Sequence, residues 1–186
     1  MTDLIDIRIE PCPAATLAAE LPAFAALLHA CVHAGASIGF VLPFTPAEAE
    51  GFWRDRVLPP LQAGHRVLLA ARDVGRLVGT VQLGTETMPN QPHRADVAKL
   101  MVHPDCRRRG IARALMVALE AEALARRRTL LTLDTRTGDA AEPLYLSMGY
   151  RIVGPIPGYC LHPSEDRLEA TTIMYKAMTG GAAAPA

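Results

Sequence analysis

The stretch Leu100-Met101-Val102-His103-Pro104-Asp105-Cys106-Arg107-Arg108-Arg109-Gly110-Ile111-Ala112 states the chain's chemistry most openly. An apolar run ends at Val102, His103-Pro104-Asp105 breaks it, and three arginines lead into a helical pattern that opens at Gly110. The first turn of a helix presents N–H groups without intrahelical partners at the positive end of the helix dipole. Small residues at 110 and 112 let an anion approach that backbone, and the arginines add charge of matching sign. Arginine at a helix N-terminus is itself disfavoured, by ~0.3–1 kcal/mol each. Three in succession there point to a bound polyanion such as a phosphate group. Asp134 ends the apolar run Thr129 to Leu133, at the carboxyl end of a strand, where open sheets place their chemistry.

Other spacings are weaker. Gly35-Ala36-Ser37-Ile38-Gly39 spells the elbow of a serine hydrolase, which needs a strand before it and a helix after it. Here a helical pattern precedes it and Phe40-Val41-Leu42-Pro43 follows. His29 and His33 stand four apart, but Ala30 takes the place of the zincin glutamate and no third ligand is evident. No metal site is expected.

The elements that position these residues alternate in type. Leu4 to Ile9 reads as a strand stopped by Pro11 and Pro13, and Ala14 to Ala34 as one helix. Its apolar stripe is Leu17, Leu21, Phe24, Leu28 and Cys31 or Val32, with Thr16 as cap. A loop follows to Pro43, then a helix from Thr45-Pro46 to about Val57, before Pro59-Pro60. Val67 to Ala71 and Gly75 to Gly84 form a hairpin around residues 72–75, with Thr80 and Gln82 on a half-buried face. Asp96 to Val102 is a strand. Arg109 to Arg128 is a helix with Ile111, Leu115, Leu119 and Ala123 on one face and Glu122 four before Arg126. The run from Thr129 to Leu133 reads as a strand covered on both faces. A helix from about Ala140 to Met148, closed by Gly149, precedes strands at Tyr150 to Val153 and Ala170 to Tyr175. Residues 154–158 and 164–167 read as a long, turn-rich connection. The order is that of an α+β fold on one mixed sheet flanked by helices.

Composition bounds the function. The 186 residues suit one domain, and half of them are hydrophobic. Basic and acidic residues number 19 each, so no global field draws nucleic acid or an anionic membrane; any polyanion site is local. Cys12, Cys31, Cys106 and Cys160 are scattered without metal or disulfide spacing, which fits a reducing cytoplasm. No apolar run approaches ~20 residues, the length of a membrane span, and the N-terminal residues carry two acids where a signal peptide has bases.

Arg107-x-x-Gly110-x-Ala112 after that strand resembles motif A of the GCN5-related N-acetyltransferases. Leu144-Tyr145-Leu146-Ser147-Met148-Gly149-Tyr150 resembles their Tyr-x-x-x-Gly-Phe/Tyr element, and the order of elements is also theirs. The resemblance covers Leu4 to Met178 and implies one acetyltransferase domain, 4–178, with 179–186 as a flexible tail. Within the family, His93 to Asp96, Leu133 to Thr135, Ile156 to Cys160 and Tyr175-Lys176 are similar to the tabtoxin-resistance type.

The resemblance implies acetyl-CoA as donor. Its diphosphate would lie on the turn of Arg107, Arg108, Arg109, Gly110, Ile111, Ala112 and Arg113, and its pantetheine arm along Met101, Val102 and His103. Many members carry Asn seven residues before the tyrosine; here that position is Gly138. Tyr145 takes the role of the acid that protonates the departing thiolate. An amine with pKa near 10.4 is largely protonated at neutral pH, and a nearby carboxylate, directly or through a water, would take that proton. Asp96, six residues before Val102, and Asp134 both qualify, singly or as a pair. The N–H near Met101 would steady the oxyanion. Cys106 sits in the phosphate turn, away from the acetyl group, so no covalent acetyl-enzyme is expected. His33, Phe40, Phe44, Thr135 and Tyr159 would line the acceptor pocket. The implied reaction is direct acetyl transfer to an amine of a small molecule, an antibiotic or amino-acid-like toxin. A protein N-terminus or lysine is the alternative acceptor, and a non-catalytic acyl-CoA sensor the alternative function. A sheet edge near Thr171 to Tyr175 could pair two copies.

Overall fold

The computed structural model describes residues 7–178; the expected start of the first strand and of the domain at Leu4, and the tail 179–186, fall outside them. Seven strands form one mixed sheet in the order β1-β2-β3-β4-β5-β7-β6. They are β1 Ile7–Pro11, β2 Arg66–Asp73, β3 Arg76–Gly84, β4 Arg94–Val102, β5 Leu130–Arg136, β6 Arg151–Leu161 and β7 Leu168–Ala177. Only β4 and β5 run parallel, and the helix that links them, α5 Ile111–Ala125, makes the crossover.

The expected helix 14–34 is two, α1 Ala14–Ala19 and α2 Leu21–His33, broken at Glu20 where Pro22 enters the first turn of α2. Pro13, not Thr16, precedes the first turn of α1. Thr45 caps α3 Pro46–Phe52 with a reciprocal capping box to Glu48, and a π-helical turn, Trp53–Val57, leads into α4 Leu58–Gln62. That wider turn carries the chain past Pro59 and Pro60, whose missing N–H groups fall in the first turn of α4. The last helix is α6 Ala141–Ser147.

Helices α1 to α4 cover one face of the sheet, burying Phe24, Leu28, Trp53 and Val57 against Leu68, Ala70 and Met101. Helix α5 covers the other with Ile111, Leu115, Met116, Leu119 and Ala123. Strand β3 is therefore buried on both faces, not half-buried: Thr80 and Gln82 are at most 1% exposed. Thr80 donates to the Lys99 carbonyl at 3.4 Å and Gln82 accepts from Arg66 at 2.8 Å. The run expected to be covered on both faces, β5, instead alternates. The hairpin turns at Val74-Gly75, both with positive φ as a two-residue turn requires. The expected connection after Val153 is in fact the rest of the 11-residue β6, bulged beyond Ile152 and Ile156. As an edge strand it tolerates Pro155 and Pro157. The expected edge, Thr171 to Tyr175, is interior, because β7 lies between β5 and β6.

Candidate active site

The site begins with one extra residue in β4. Across from Val81 of β3, β4 places both Lys99 and Leu100, and Lys99 adopts φ +52°. A bulge of this kind bends the strand that carries it and raises its twist. Parallel pairing with β5 accordingly stops at Asp96↔Thr132, although β4 continues to Val102 and β5 to Arg136. The strands part, and two clefts of about 570 and 430 Å³ fill the gap. Ala36, Leu100, Arg136, Asp139 and Ala141 line both, so the clefts are continuous.

The larger cleft runs from Leu100 to the first turn of α5. Gly110 precedes that turn with φ +79°, no side chain caps it, and no acid lies in it. Ala114 makes the first intrahelical bond, to Gly110 at 3.0 Å, so the N–H groups of Ile111, Ala112 and Arg113 lack helical partners. Arg108 has φ +64°, and two left-handed residues so close together fold the backbone into an amide-lined hollow. Gly79 lets the helix sit this low. A Cβ there would lie 2.8 Å from the Met101 carbonyl and 3.2 Å from Leu115. Uncapped donors beside the exposed Arg107 and Arg108 suit a diphosphate.

Eight of the ten residues expected around the donor line this cleft; His103 and Arg109 do not. The His103 amide donates to Val78 at 2.8 Å, within the sheet, and its ring meets Arg76 at 3.2 Å. Strand backbone alternates, so the neighbouring Val102 carbonyl faces the cleft instead. It accepts from Arg107 at 3.4 Å and from the Cys31 thiol at 3.5 Å. Burial pushes that thiol up to about 11, so it stays a donor at neutral pH. Arg109 is drawn away by Asp73, at 2.8 Å. Arg113 reaches across to Ser147 of α6 at 2.7 Å. Gly138 turns the chain after β5 with φ +77°, and its N–H donates to Glu142 at 3.1 Å.

The smaller cleft brings together Asp134, Tyr145, Phe40, Thr135 and Tyr159. Tyr145 is 6% exposed, its ring 5.6 Å from that of Tyr150. Burial first, and then Asp134 and Asp139, hold its phenol well above the usual range, so it keeps its proton. Asp96 lines neither cleft: its Oδ1 accepts from Thr132 and from Arg94, at 3.1 Å for the latter, where β4 and β5 are still paired. His33 is exposed and stacked on His29 at 3.9 Å, and Phe44 is core, 4.7 Å from Phe40. Ser37 is in the cleft-lining loop after α2, with no strand before it, 3.9 Å from Cys160. Among the described residues no group of three His, Cys, Asp or Glu could hold a metal ion.

Sequence reasoning missed Lys99. Its ammonium donates to the Ile38 carbonyl at 2.6 Å and lies 5.6 Å from the centres of both Phe40 and Phe52. Burial lowers its pKa, partly offset by the charge of Asp134. A charged, left-handed residue inside a strand follows no periodicity, and its being one of two lysines against 17 arginines is the one sign in the sequence that sets it apart.

Residues 63–152 match the sequence model of the acetyltransferase (GNAT) domain. The chain is 33% identical over 114 residues to an uncharacterized N-acetyltransferase in the hisH-hisA intergenic region of Azospirillum brasilense, a stretch covering 60% of this chain and 66% of that one. Its fold is similar to that of the ribosomal-protein-alanine N-acetyltransferase of Brucella melitensis, with a TM-score of 0.74, 22% identity, and 92% and 99% of the two chains covered. It is equally similar to yncA of Salmonella typhimurium, a putative acetyltransferase solved with acetyl-CoA, with a TM-score of 0.74, 18% identity, and 95% and 96% covered.

Proposed function

We propose that this chain, whose residues 63–152 match the GNAT acetyltransferase domain, is an acetyl-CoA-dependent N-acetyltransferase whose acceptor is the amine of a small molecule. The observation that carries the reading is the continuity of the two clefts at Leu100, with an uncapped helix start on one side and Asp134 with Tyr145 on the other. Acetyl-CoA supplies an activated acetyl thioester. The first turn of α5 with Arg107 and Arg108 holds its diphosphate, and the cleft-facing edge of Val102 aligns its arm. Asp134 takes the proton of the acceptor's ammonium, directly or through water. Tyr145 gives a proton to the departing thiolate. Asp96, bound by Arg94 and Thr132, steadies the paired base of the strands. The proposed catalytic domain is 4–178. Its four free cysteines support a reducing, cytoplasmic setting, and no helix among the described residues is long and apolar enough to cross a membrane.

The resemblance of Leu133-Asp134-Thr135 and Ile156 to Cys160 to the tabtoxin-resistance type supports a small, amino-acid-like acceptor. The acceptor named for the Brucella melitensis relative keeps a peptide with N-terminal alanine as the second candidate. The test is thiol release from acetyl-CoA across amines and such peptides. Small amines are expected to release thiol, and Tyr145→Phe to lower kcat by ~10²–10⁴ with little change in acetyl-CoA affinity. Binding of acetyl-CoA without release on any amine would make the protein a sensor.

A further inference from the structure

Four charged side chains line the acceptor cleft: Lys99, Asp134, Arg136 and Asp139. Two neutralise each other, since Arg136 pairs with Asp139 at 3.2 Å and also reaches Glu169 at 3.5 Å. Among the described residues neither Lys99 nor Asp134 belongs to any ion pair, although Asp134 acts on Lys99 through space. The cleft thus presents one unpaired cation and one unpaired anion.

The cation is the more telling. A desolvated ammonium normally finds a carboxylate, because a single carbonyl compensates little of its lost hydration. Lys99 has the Ile38 carbonyl and the faces of two aromatic rings, and no acid. It is also held in place: the left-handed bulge fixes its backbone, and the Ile38 carbonyl with the rings of Phe40 and Phe52 holds its ammonium. Tightly positioned and short of an anion, it is prepared for one that arrives with the acceptor. A ligand bridging Lys99 and Asp134 needs an anionic group at one end and an ammonium at the other.

We propose that the acceptor is an amino acid or a close analogue, with Lys99 binding its carboxylate while Asp134 faces its amine. The proposal rests on the acetyltransferase reading and deepens it, naming the acceptor class. It also separates Lys99 from a mere strut between β4 and the loop at Ile38. A strut would serve every acceptor equally, whereas an anion site distinguishes a carboxylate from its neutral amide.

The experiment measures kcat/KM for matched pairs, a panel of α-amino acids against their primary amides, with wild type, Lys99→Met and Lys99→Arg. Wild type is expected to prefer the carboxylate member by about 10- to 100-fold, as a charge-assisted hydrogen bond provides. Lys99→Met erases that preference and Lys99→Arg restores part of it. Thermal unfolding of each variant reports whether it folds. Equal use of acids and amides by wild type, or a preference that survives Lys99→Met, overturns the proposal and leaves the acetyltransferase reading standing. If no amine releases thiol, the transferase reading fails, and calorimetric titration of the same pairs into the CoA-bound protein decides the anion site alone. Carboxylate-selective binding lost in Lys99→Met supports it, and binding of neither member or of both alike overturns it.

Discussion

A phenol serves as an acid only while it holds its proton, and the surroundings of Tyr145 lengthen that range. Burial and the charges of Asp134 and Asp139 all disfavour the phenolate. A raised pKa keeps the acid form present below it and loses it only as pH rises through it. The kcat profile should therefore show no alkaline decline attributable to Tyr145 up to about pH 10, the ordinary phenol value; a fall below pH 9 that vanishes in Tyr145→Phe would refute this. The two aspartates separate by position. Asp134→Asn should lower kcat/KM for amines by ~10²-fold or more, since it removes the proposed general base, and by at least tenfold more than Asp96→Asn. The arginines separate likewise. Arg107→Ala is expected to raise KM for acetyl-CoA several-fold. Arg109→Ala should act mainly on stability, as a small drop in Tm with KM for acetyl-CoA unchanged, through the partly exposed pair with Asp73. The placement of Tyr145, Asp134 and Gly110 at the clefts was legible because each belongs to a local pattern of types and spacing. Arg109 and His103 belong to the same patterns but do not line the cleft, because Asp73 and Val78 compete for them across the sheet.

Among elements, α5 was legible almost residue by residue, as its buried face repeats at helical spacing and Glu122 meets Arg126 at 3.4 Å. The bulge at Lys99-Leu100 was not, although it opens the site, since a single extra residue leaves no periodic trace. Strand β6 was hidden for the opposite reason: Gly154, Pro155, Pro157 and Gly158 are turn formers, and only an unpaired edge makes them compatible with a strand. Gly79 joins fold and site. A larger residue there would meet the Met101 carbonyl and the α5 side chains Ile111 and Leu115, lifting the helix start from the sheet. Gly79→Val should cost ~1–3 kcal/mol as overpacking and also raise KM for acetyl-CoA, read by denaturant unfolding alongside kinetics. A stable variant with unchanged KM would show that the height of α5 does not set the anion site.

At the scale of the whole molecule, the clefts lie where separate parts of the chain converge. The loop after α2, the bulged half of β4, the start of α5 and the turn into α6 all border them. The loop is fastened at Leu42 to Pro163 by 2.7 Å and at Ile38 to Lys99 by 2.6 Å, and α6 is fastened to α5 through Arg113. A ligand that spans the gap touches both halves of a sheet whose central pairing has been given up beyond Asp96, and so replaces contacts the two strands do not make. Such binding adds RT ln(1 + [L]/Kd) to stability, ~2.7 kcal/mol at a hundredfold excess over Kd. For a chain of this size that corresponds to ~5–11 °C in Tm. Coenzyme A at that excess should raise Tm by this amount, and adenosine 3′,5′-bisphosphate, which lacks both the arm and the diphosphate bridge, by clearly less when compared at equal concentration. Equal shifts from the two would place the recognised group outside the opening between β4 and β5.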